Sequence, residues 1–127
     1  MSRKGLALIE LAIVLVALGL LAAVAIPVVA AWRGRSAAEV MRQDLLRFAA
    51  AQESYFYDYR VYAGDLSALA SRGFAPSPGV TISIEEATMG GFAAVASHSG
   101  SRIRCFLFVR GAAPVGSAKT PGTVHCS

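Results

Sequence analysis

The charged residue with the most unusual setting in this sequence is Glu10. It is the single charged residue between Leu6 and Trp32, in an otherwise apolar run of 27 residues. Placing Asp, Lys or Arg at the centre of a membrane helix costs about 2.5–3.5 kcal/mol, so an ionisable residue in such a segment marks a functional position. A carboxylate buried among apolar side chains persists when it is paired with a cation. The expected chemistry of Glu10 is therefore electrostatic pairing.

The other residues that could do chemistry do not form a catalytic or metal-binding pattern. His98 and His125 are isolated, and Cys105 and Cys126 lack the C-x-x-C spacing of zinc sites. Calcium needs several oxygen ligands, and no acidic residue follows Glu86. The sequence has no Gly-rich phosphate loop and no nucleophile paired with a base. We therefore expect no metal, no cofactor and no enzymatic activity.

The two cysteines are expected to form one disulfide. An even pair in a chain that crosses a membrane indicates an oxidising compartment. A Cys105–Cys126 bridge would join the C-terminal tail to the last predicted strand, with about 3 kcal/mol of stabilisation expected for a loop of that size.

The element that positions Glu10 is a long apolar helix. At about 1.5 Å per residue, residues 6–32 are long enough to cross a bilayer core of about 30 Å. Arg3 and Lys4 precede this run and Arg33 and Arg35 follow it, so the distribution of charge does not set an orientation. A cleavable secretory signal and a plain signal anchor are two interpretations of this segment.

Size and charge limit the remainder of the chain. Of 127 residues, those outside the apolar run suffice for one small domain. The net charge is +4, and Arg3 and Lys4 contribute two of these charges. Charge therefore gives no reason to expect a nucleic-acid partner.

The helical pattern continues beyond Trp32 but becomes one-sided. Residues that could form the buried face of a helix recur at intervals of four and three positions. No Pro or Gly occurs within residues 36–59. These residues are Met41, Leu45, Phe48, Gln52 and Tyr55. The sequence therefore predicts one helix from about residue 6 to about residue 57, with an amphipathic second half.

The C-terminal half predicts a small antiparallel sheet. Asp65 is a helix N-cap candidate for a short helix over 66–71 that ends at Gly73. Period-two alternation then predicts strands, which we place at 80–85, 92–97 and 102–110, followed by a loop over 111–127. The aromatic-rich segment 55–62 is interpreted as core packing, with a stacked path for electron conduction as the alternative. Three strands laid against a helix indicate an α+β fold.

The N-terminus resembles the class III signal of type IV pilins and pseudopilins. Arg3-Lys4-Gly5 is followed by the residues LALIEL, with glycine before the expected cut and glutamate five residues after it. The resemblance implies that a membrane peptidase cuts after Gly5 and that Leu6 is then N-methylated. The family usually has phenylalanine and then threonine after the cut, so this sequence departs from it at Leu6 and Ala7, which bears on the efficiency of processing.

The resemblance also assigns roles within the helix. It implies that Glu10 of one subunit pairs with the new amine of Leu6 on a neighbouring subunit and fixes the axial register. Gly19 and Pro27 stand where pilins commonly carry glycine and proline. In related filaments the segment between such residues is melted, which implies that Gly19 and Pro27 give this helix flexibility.

The resemblance implies a complete organisation for the chain. Residues 1–5 are the leader peptide, 6–32 the transmembrane and filament-core half of the helix, and 33–127 its amphipathic half with a globular head. The fold expected is the α+β lollipop of type IV pilins, one long N-terminal helix packed on an antiparallel sheet of three or four strands. A C-terminal disulfide loop such as Cys105–Cys126 is common in that family.

The function implied is a structural subunit that polymerises into a type IV pilus. Its partners would be copies of itself, the prepilin peptidase, an inner-membrane assembly platform with its ATPase, and membrane lipid before assembly. The subunit would lie in the bacterial inner membrane first and in an extracellular filament afterwards. A pseudopilin of type II secretion and a single-span membrane-anchored binding protein are the alternatives. The sequence does not separate a major from a minor pilin, and it does not choose between adhesion, motility, DNA uptake and conduction.

Overall fold

The computed structural model describes the backbone of residues 3–127 and the side chains of residues 7–23 and 35–127. The elements are α1 (Arg3–Tyr59), α2 (Leu66–Ala70), β1 (Val80–Ala87), β2 (Gly91–His98), β3 (Cys105–Arg110) and β4 (His125–Cys126). The chain divides into two compact units, Met1–Arg33 and Gly34–Ser127. We call them the N-terminal unit and the head.

The N-terminal unit contains the first part of α1. Leu and Ala, two of the strongest helix formers, are frequent in this stretch, and the helix continues through Gly19 and Pro27. The predicted single long helix is thus confirmed, with bounds of Arg3–Tyr59. Among the residues that the structure describes, no helix has both the length and the hydropathy required to cross a membrane.

In the head, one side of α1 forms the core and the opposite side is exposed. Met41, Leu45 and Phe48 are completely buried, at the spacing predicted from the sequence. Leu46 and Tyr57 lie on the opposite side and are 52% and 76% exposed. This part of α1 therefore has the amphipathic pattern that a helix packed on a sheet requires.

The sheet is antiparallel throughout and has the strand order β1-β2-β3-β4. Val80 and Ile82 of β1, Phe92 and Ala94 of β2 and Leu107 of β3 belong to the same buried cluster as the inner side of α1. The strands alternate between inner and outer faces, as period-two residues do. This arrangement confirms the predicted α+β fold.

Aromatic rings form a continuous row through this core. Phe56 stacks on Tyr62 at 4.6 Å between ring centroids, Tyr62 contacts Phe92 at 5.0 Å, and Phe92 contacts Phe48 at 5.4 Å. Phe48 in turn meets Phe74 at 5.8 Å. Edge-to-face and stacked contacts of this kind are favourable packing arrangements. Within the segment 55–62, Tyr62 is buried as the core-packing interpretation expects, whereas Tyr57 and Tyr59 are 76% and 61% exposed.

Two sequence predictions in the C-terminal part need correction. The third strand begins at Cys105, not at residue 102, because Ser101 closes a turn: its amide donates to His98 and its hydroxyl accepts from the Ile103 amide. The tail is not all loop, because His125–Cys126 pairs with β3 as a fourth strand.

The tail also builds a second buried cluster that the sequence did not predict. Phe106 and Phe108 point to the outer face of the sheet and are covered by Ala112 and Ala118. Gly116 has a φ of +55°, and a Cβ at this position would overlap the ring of Phe106. A glycine is required there because only glycine allows both this backbone conformation and this close approach.

The short connecting helix follows its prediction. The Asp65 side chain accepts a hydrogen bond from the Ser67 amide at 2.9 Å, which satisfies one of the free amides at the start of α2. Gly73 follows the helix with a φ of +80°, the left-handed conformation common after helix C-termini.

Candidate functional site: the apolar part of α1

The described part of α1 in the N-terminal unit has no covering layer within its own unit. Every side chain from residue 7 to residue 23 is exposed. Ten large apolar side chains are between 49% and 67% exposed, and they lie on all sides of the helix: Leu8, Ile9, Leu11, Ile13, Val14, Leu15, Val16, Leu18, Leu20 and Leu21. Monomeric soluble proteins rarely expose contiguous apolar surface on this scale, and such a surface marks a site of contact with other proteins or with lipid.

Glu10 is the one ionisable side chain within residues 7–23. It is exposed, and none of the ion pairs formed by the described residues includes it. Residues 6 and 10 are i and i+4 in α1 and therefore share a face of the helix.

The other residues predicted for processing and flexibility lie in the same helix. Gly5, Leu6 and Pro27 are part of α1, but they lie outside the residues whose side chains the structure describes. Gly19 is in open space, since a Cβ built on it meets no atom within 4 Å. Packing within the subunit therefore does not explain why residue 19 is a glycine.

Within the head, a buried carboxylate joins α1 to the chain segment before β1. Asp44 is 1% exposed, and it accepts hydrogen bonds from the amide and the hydroxyl of Ser77 at 2.7 and 2.8 Å. Arg47, one turn along α1, forms an ion pair with it. Burial alone would raise the pKa of Asp44, but the hydrogen bonds from Arg47 and Ser77 outweigh it and lower the pKa.

A buried amide makes the second connection of α1 inside the head. Gln52 is completely buried, and its Nε2 donates to the Ala63 carbonyl at 2.8 Å while its Oε1 accepts from the Ala63 amide at 2.7 Å. The side chain thus satisfies both backbone groups of a buried residue in the segment that follows α1. Unsatisfied buried backbone groups are costly, so this pair fixes where the chain leaves the helix.

A mixed polar and aromatic cluster lies near the end of α1. The Tyr62 hydroxyl donates to Glu53 Oε1 at 2.8 Å, and Arg110 lies 3.6 Å from Glu53 Oε2. The Arg110 guanidinium also covers the ring of Phe56, 4.9 Å from its centroid. Burial, followed by the hydrogen bond to Glu53, raises the pKa of Tyr62 to about 12.

The predicted disulfide is present between Cys105 and Cys126, which are 21 residues apart in the sequence. It joins β3 to β4 at a directly opposed pair of residues. Arg42 of α1 adds a contact to the Val124 carbonyl at 3.4 Å. The disulfide and this hydrogen bond hold the two-residue strand in place.

Comparison with known proteins identifies the family. Models of protein families give no match. The chain is 38% identical over 103 residues to the type IV wide pilus major component PilA4 of Thermus thermophilus, an alignment that covers 80% of this chain and 79% of the relative. The chain belongs to the type IV pilin family. This membership confirms the resemblance drawn from the N-terminal residues.

Sequence reasoning found the apolar surface of this pilin but missed part of what holds its head together. Gln52 was recognisable, because it occupies a core position in the helical spacing of Met41, Leu45 and Phe48. Asp44 had only a weak signal, an arginine three residues later at the spacing of a helical ion pair. Its partner Ser77 is 33 residues away in sequence and had no signal.

No group of three or more metal-binding side chains occurs within the described part of this pilin. Cys105 and Cys126 are joined to each other, and His98 accepts a hydrogen bond from the Gly100 amide at 2.9 Å. The geometry at these positions is that of turn and strand stabilisation.

Proposed function

We propose that this pilin is a structural, non-enzymatic subunit that polymerises through its N-terminal helix into a type IV pilus. The observation that carries the proposal is the ring of ten exposed large apolar side chains between Leu8 and Leu21. Such a surface is stable in water only when another apolar surface covers it. The relative with 38% identity is the major component of a wide pilus, which supports a second copy of the chain as the covering partner.

Glu10 sets the register of the polymer. A carboxylate buried in a bundle of leucine and valine side chains needs a cation, and the amine of Leu6 after cleavage is the cation available at the same depth. Glu10 of one subunit pairs with Leu6 of its neighbour. Helical filaments arise from such head-to-tail contacts between identical chains.

Before assembly, the subunit is anchored in the bacterial inner membrane by residues 6–32. The prepilin peptidase removes residues 1–5 by cutting after Gly5 and methylates Leu6. An assembly platform in the inner membrane and its ATPase then move the subunit into the extracellular filament. The departures at Leu6 and Ala7 predict slower processing than a phenylalanine–threonine pair would give.

Gly19 and Pro27 give the assembled helix its flexibility. Pro27 lacks the amide that would donate to residue 23, and Gly19 is a weak helix former, so the hydrogen bonds between them are the easiest ones in α1 to lose. Open space around Gly19 supports a backbone role for this residue. Melting of this segment would allow the filament to stretch.

The mass of the N-terminal peptide from filaments sheared off the cell surface tests the proposal. A peptide that begins at Leu6 and is heavier by one methyl group is the expected result, with the membrane fraction of the same cells as the comparison. The same peptide restricted to membranes would assign the chain to a type II secretion pseudopilin. A start at Met1 would refute processing, and with it the role of the Leu6 amine.

A further inference from the structure

The two sulfur atoms of the disulfide have different surroundings. Cys105 is completely buried, and its Sγ lies 3.6 Å from the Ala38 carbonyl of α1. Cys126, the directly opposed residue of β4, is only partly buried and packs against the same core cluster. A reagent from solution therefore reaches the disulfide from the side of Cys126.

Arg42 of α1 faces the more accessible of these sulfur atoms. Its guanidinium contacts the Val124 carbonyl at 3.4 Å and donates to Cys126 Sγ at 3.9 Å. The Glu39 carboxylate, one helical turn earlier, lies 3.8 Å from Arg42 Nε, a different nitrogen of the same guanidinium. Because arginine is not deprotonated in proteins, these contacts hold a permanent positive charge beside Cys126.

The other ionisable groups near β4 lie on the opposite face of the sheet. His125 precedes Cys126, and successive side chains of a strand point to opposite faces. The His125 Nδ1 lies 2.8 Å from Ser117 Oγ, and its residue is paired with Phe106 of the outer cluster. The Arg104 guanidinium covers the ring of Phe106 on that face, 5.4 Å from the ring centroid. The charge that acts on Cys126 is therefore that of Arg42.

From these contacts we propose that the disulfide is a redox-sensitive closure of the tail, in which Cys126 is the reactive sulfur and Arg42 stabilises its thiolate. The thiolate is the nucleophile in thiol–disulfide exchange, and a neighbouring arginine favours the thiolate over the thiol. The inference does not rest on the proposed polymerisation, because every residue involved lies in the head.

Closure of the reduced head begins at Cys126. Its thiolate attacks an oxidant of the disulfide class, forms a mixed disulfide with one sulfur of the oxidant and releases the other as a thiolate. The Cys105 thiol then gives its proton to that thiolate and attacks Cys126 Sγ, which closes the Cys105–Cys126 bond and releases the second thiolate of the oxidant. Two electrons pass from the cysteines to the oxidant. Reduction runs through the same steps in reverse, so a reducing thiolate attacks Cys126 first.

Reduction leaves the tail with weak attachments only. The strand β4 has two residues, and without the disulfide it is held by its ladder with β3 and by the contact from Arg42 to the Val124 carbonyl. The backbone of Arg104 adds two hydrogen bonds with that of Ser127, at 3.0 and 2.9 Å. The redox state of the surroundings therefore decides whether the tail is fixed on the sheet.

Trapping of the mixed disulfide tests which sulfur reacts. The Cys105→Ala variant of the full chain in detergent, incubated with oxidised glutathione, should acquire one glutathione at Cys126. The Cys126→Ala variant retains the buried Cys105 and should react at least about tenfold more slowly. Mass spectrometry of the digested chain measures both rates. Alkylation of the reduced wild-type chain with iodoacetamide repeats the comparison without a substitution, and equal rates at the two cysteines there would overturn the proposal.

A second substitution separates the effect of the Arg42 charge from simple access to Cys126. In the reduced chain, Arg42→Gln should slow alkylation of Cys126 about threefold at pH 7 and raise the pH of half-maximal rate by about 0.5, because it removes the cation beside the thiolate. Arg102→Gln makes the same change of net charge at an exposed position and should leave the rate within about 1.5-fold. An equal effect of Arg102→Gln, or an unchanged pH profile in Arg42→Gln, would overturn the role of Arg42.

Discussion

Two parts of α1 differ in whether their apolar side chains are covered. In residues 7–23, apolar side chains surround the helix and every one is exposed. In the head, the apolar side chains of α1 lie on one side, where Met41, Leu45 and Phe48 are completely buried. The apolar side chains of the head are covered by the head itself, whereas those of residues 7–23 are exposed among the residues that the structure describes.

The polar residues differ in the same way. Asp44 and Gln52, the buried polar residues of α1 in the head, have all their partners within the head. Glu10, in the apolar stretch, has none among the described residues. A polar residue in an apolar setting needs a partner. Asp44 and Gln52 have theirs inside the head, and for Glu10 we propose a partner on a neighbouring subunit.

The largest expected effect is a loss of filament assembly with no change in the stability of the head. Glu10→Ala should abolish or scramble filaments, because it removes the carboxylate that we propose pairs with the Leu6 amine of a neighbouring subunit. Electron microscopy of sheared surface material is the measurement. Thermal unfolding of the head should be unchanged, and Glu85→Ala, at an exposed carboxylate of β1, should assemble normally. Normal filaments from Glu10→Ala would disprove the pairing.

A second substitution should destabilise the head and leave the apolar surface of residues 7–23 unchanged. Gln52→Leu leaves the amide and the carbonyl of Ala63 buried without partners, at about 1–3 kcal/mol for each group, so a loss of about 2–6 kcal/mol is expected. Urea denaturation of the full chain in detergent measures it. Gln43→Leu, on the exposed side of α1, is the control and should shift stability by less than about 0.5 kcal/mol. An equal loss in both variants would contradict the stabilising role of the two Gln52–Ala63 hydrogen bonds.

Removal of the disulfide tests how far the C-terminal tail depends on the Cys105–Cys126 bond for its packing against the sheet. Cys105→Ala combined with Cys126→Ala should cost about 3 kcal/mol, because the closed loop restricts the unfolded chain. The two-residue strand β4 would then depend on its hydrogen bonds alone, so the outer cluster around Phe106 should lose protection first. Hydrogen exchange of the Phe106 and Phe108 amides measures this. Equal loss of protection in β1 would mean that the tail and the sheet unfold together.

A smaller effect concerns the cluster at the end of α1. The pKa of Tyr62 is raised to about 12 in the folded head, so its neutral form is favoured there. The contribution of Tyr62 to the free energy of unfolding is complete below the unfolded pKa of about 10. It is lost as pH rises from about 10 through 12, which lowers the free energy of unfolding by about 2–3 kcal/mol in total. Unfolding free energy measured from pH 9 to 12 should fall more steeply than in Tyr62→Phe. Parallel curves would show that Tyr62 does not titrate with folding.

Local patterns in the sequence predicted most of the fold. The helical spacing from Met41 to Tyr55 predicted the inner side of α1, and the alternation that begins at Val80 predicted β1. The carboxylate of Asp65 gave the start of α2. Each of these signals lies within a few residues of the structure it specifies, because capping and periodicity are local effects.

The missed features depend on contacts between distant residues. A strand of two residues such as β4 is too short to show a period, and its pairing is set by the bond between Cys105 and Cys126. The burial of Phe106 on the outer face depends on Gly116, ten residues later, which closes over its ring. By contrast, the apolar surface of residues 7–23 and the position of Glu10 within it were evident from the sequence alone.

An electron cryo-microscopy reconstruction of the sheared filament would show which residues form its core and what lies next to Glu10. We expect the apolar segments of α1, residues 6–32, from several subunits to pack together in the filament core. Within that core, the Glu10 carboxylate of one subunit should lie within about 4 Å of the Leu6 amine of a neighbour, the distance of an ion pair. A filament whose core excludes these helices, or in which Glu10 faces solvent, would contradict the proposed assembly.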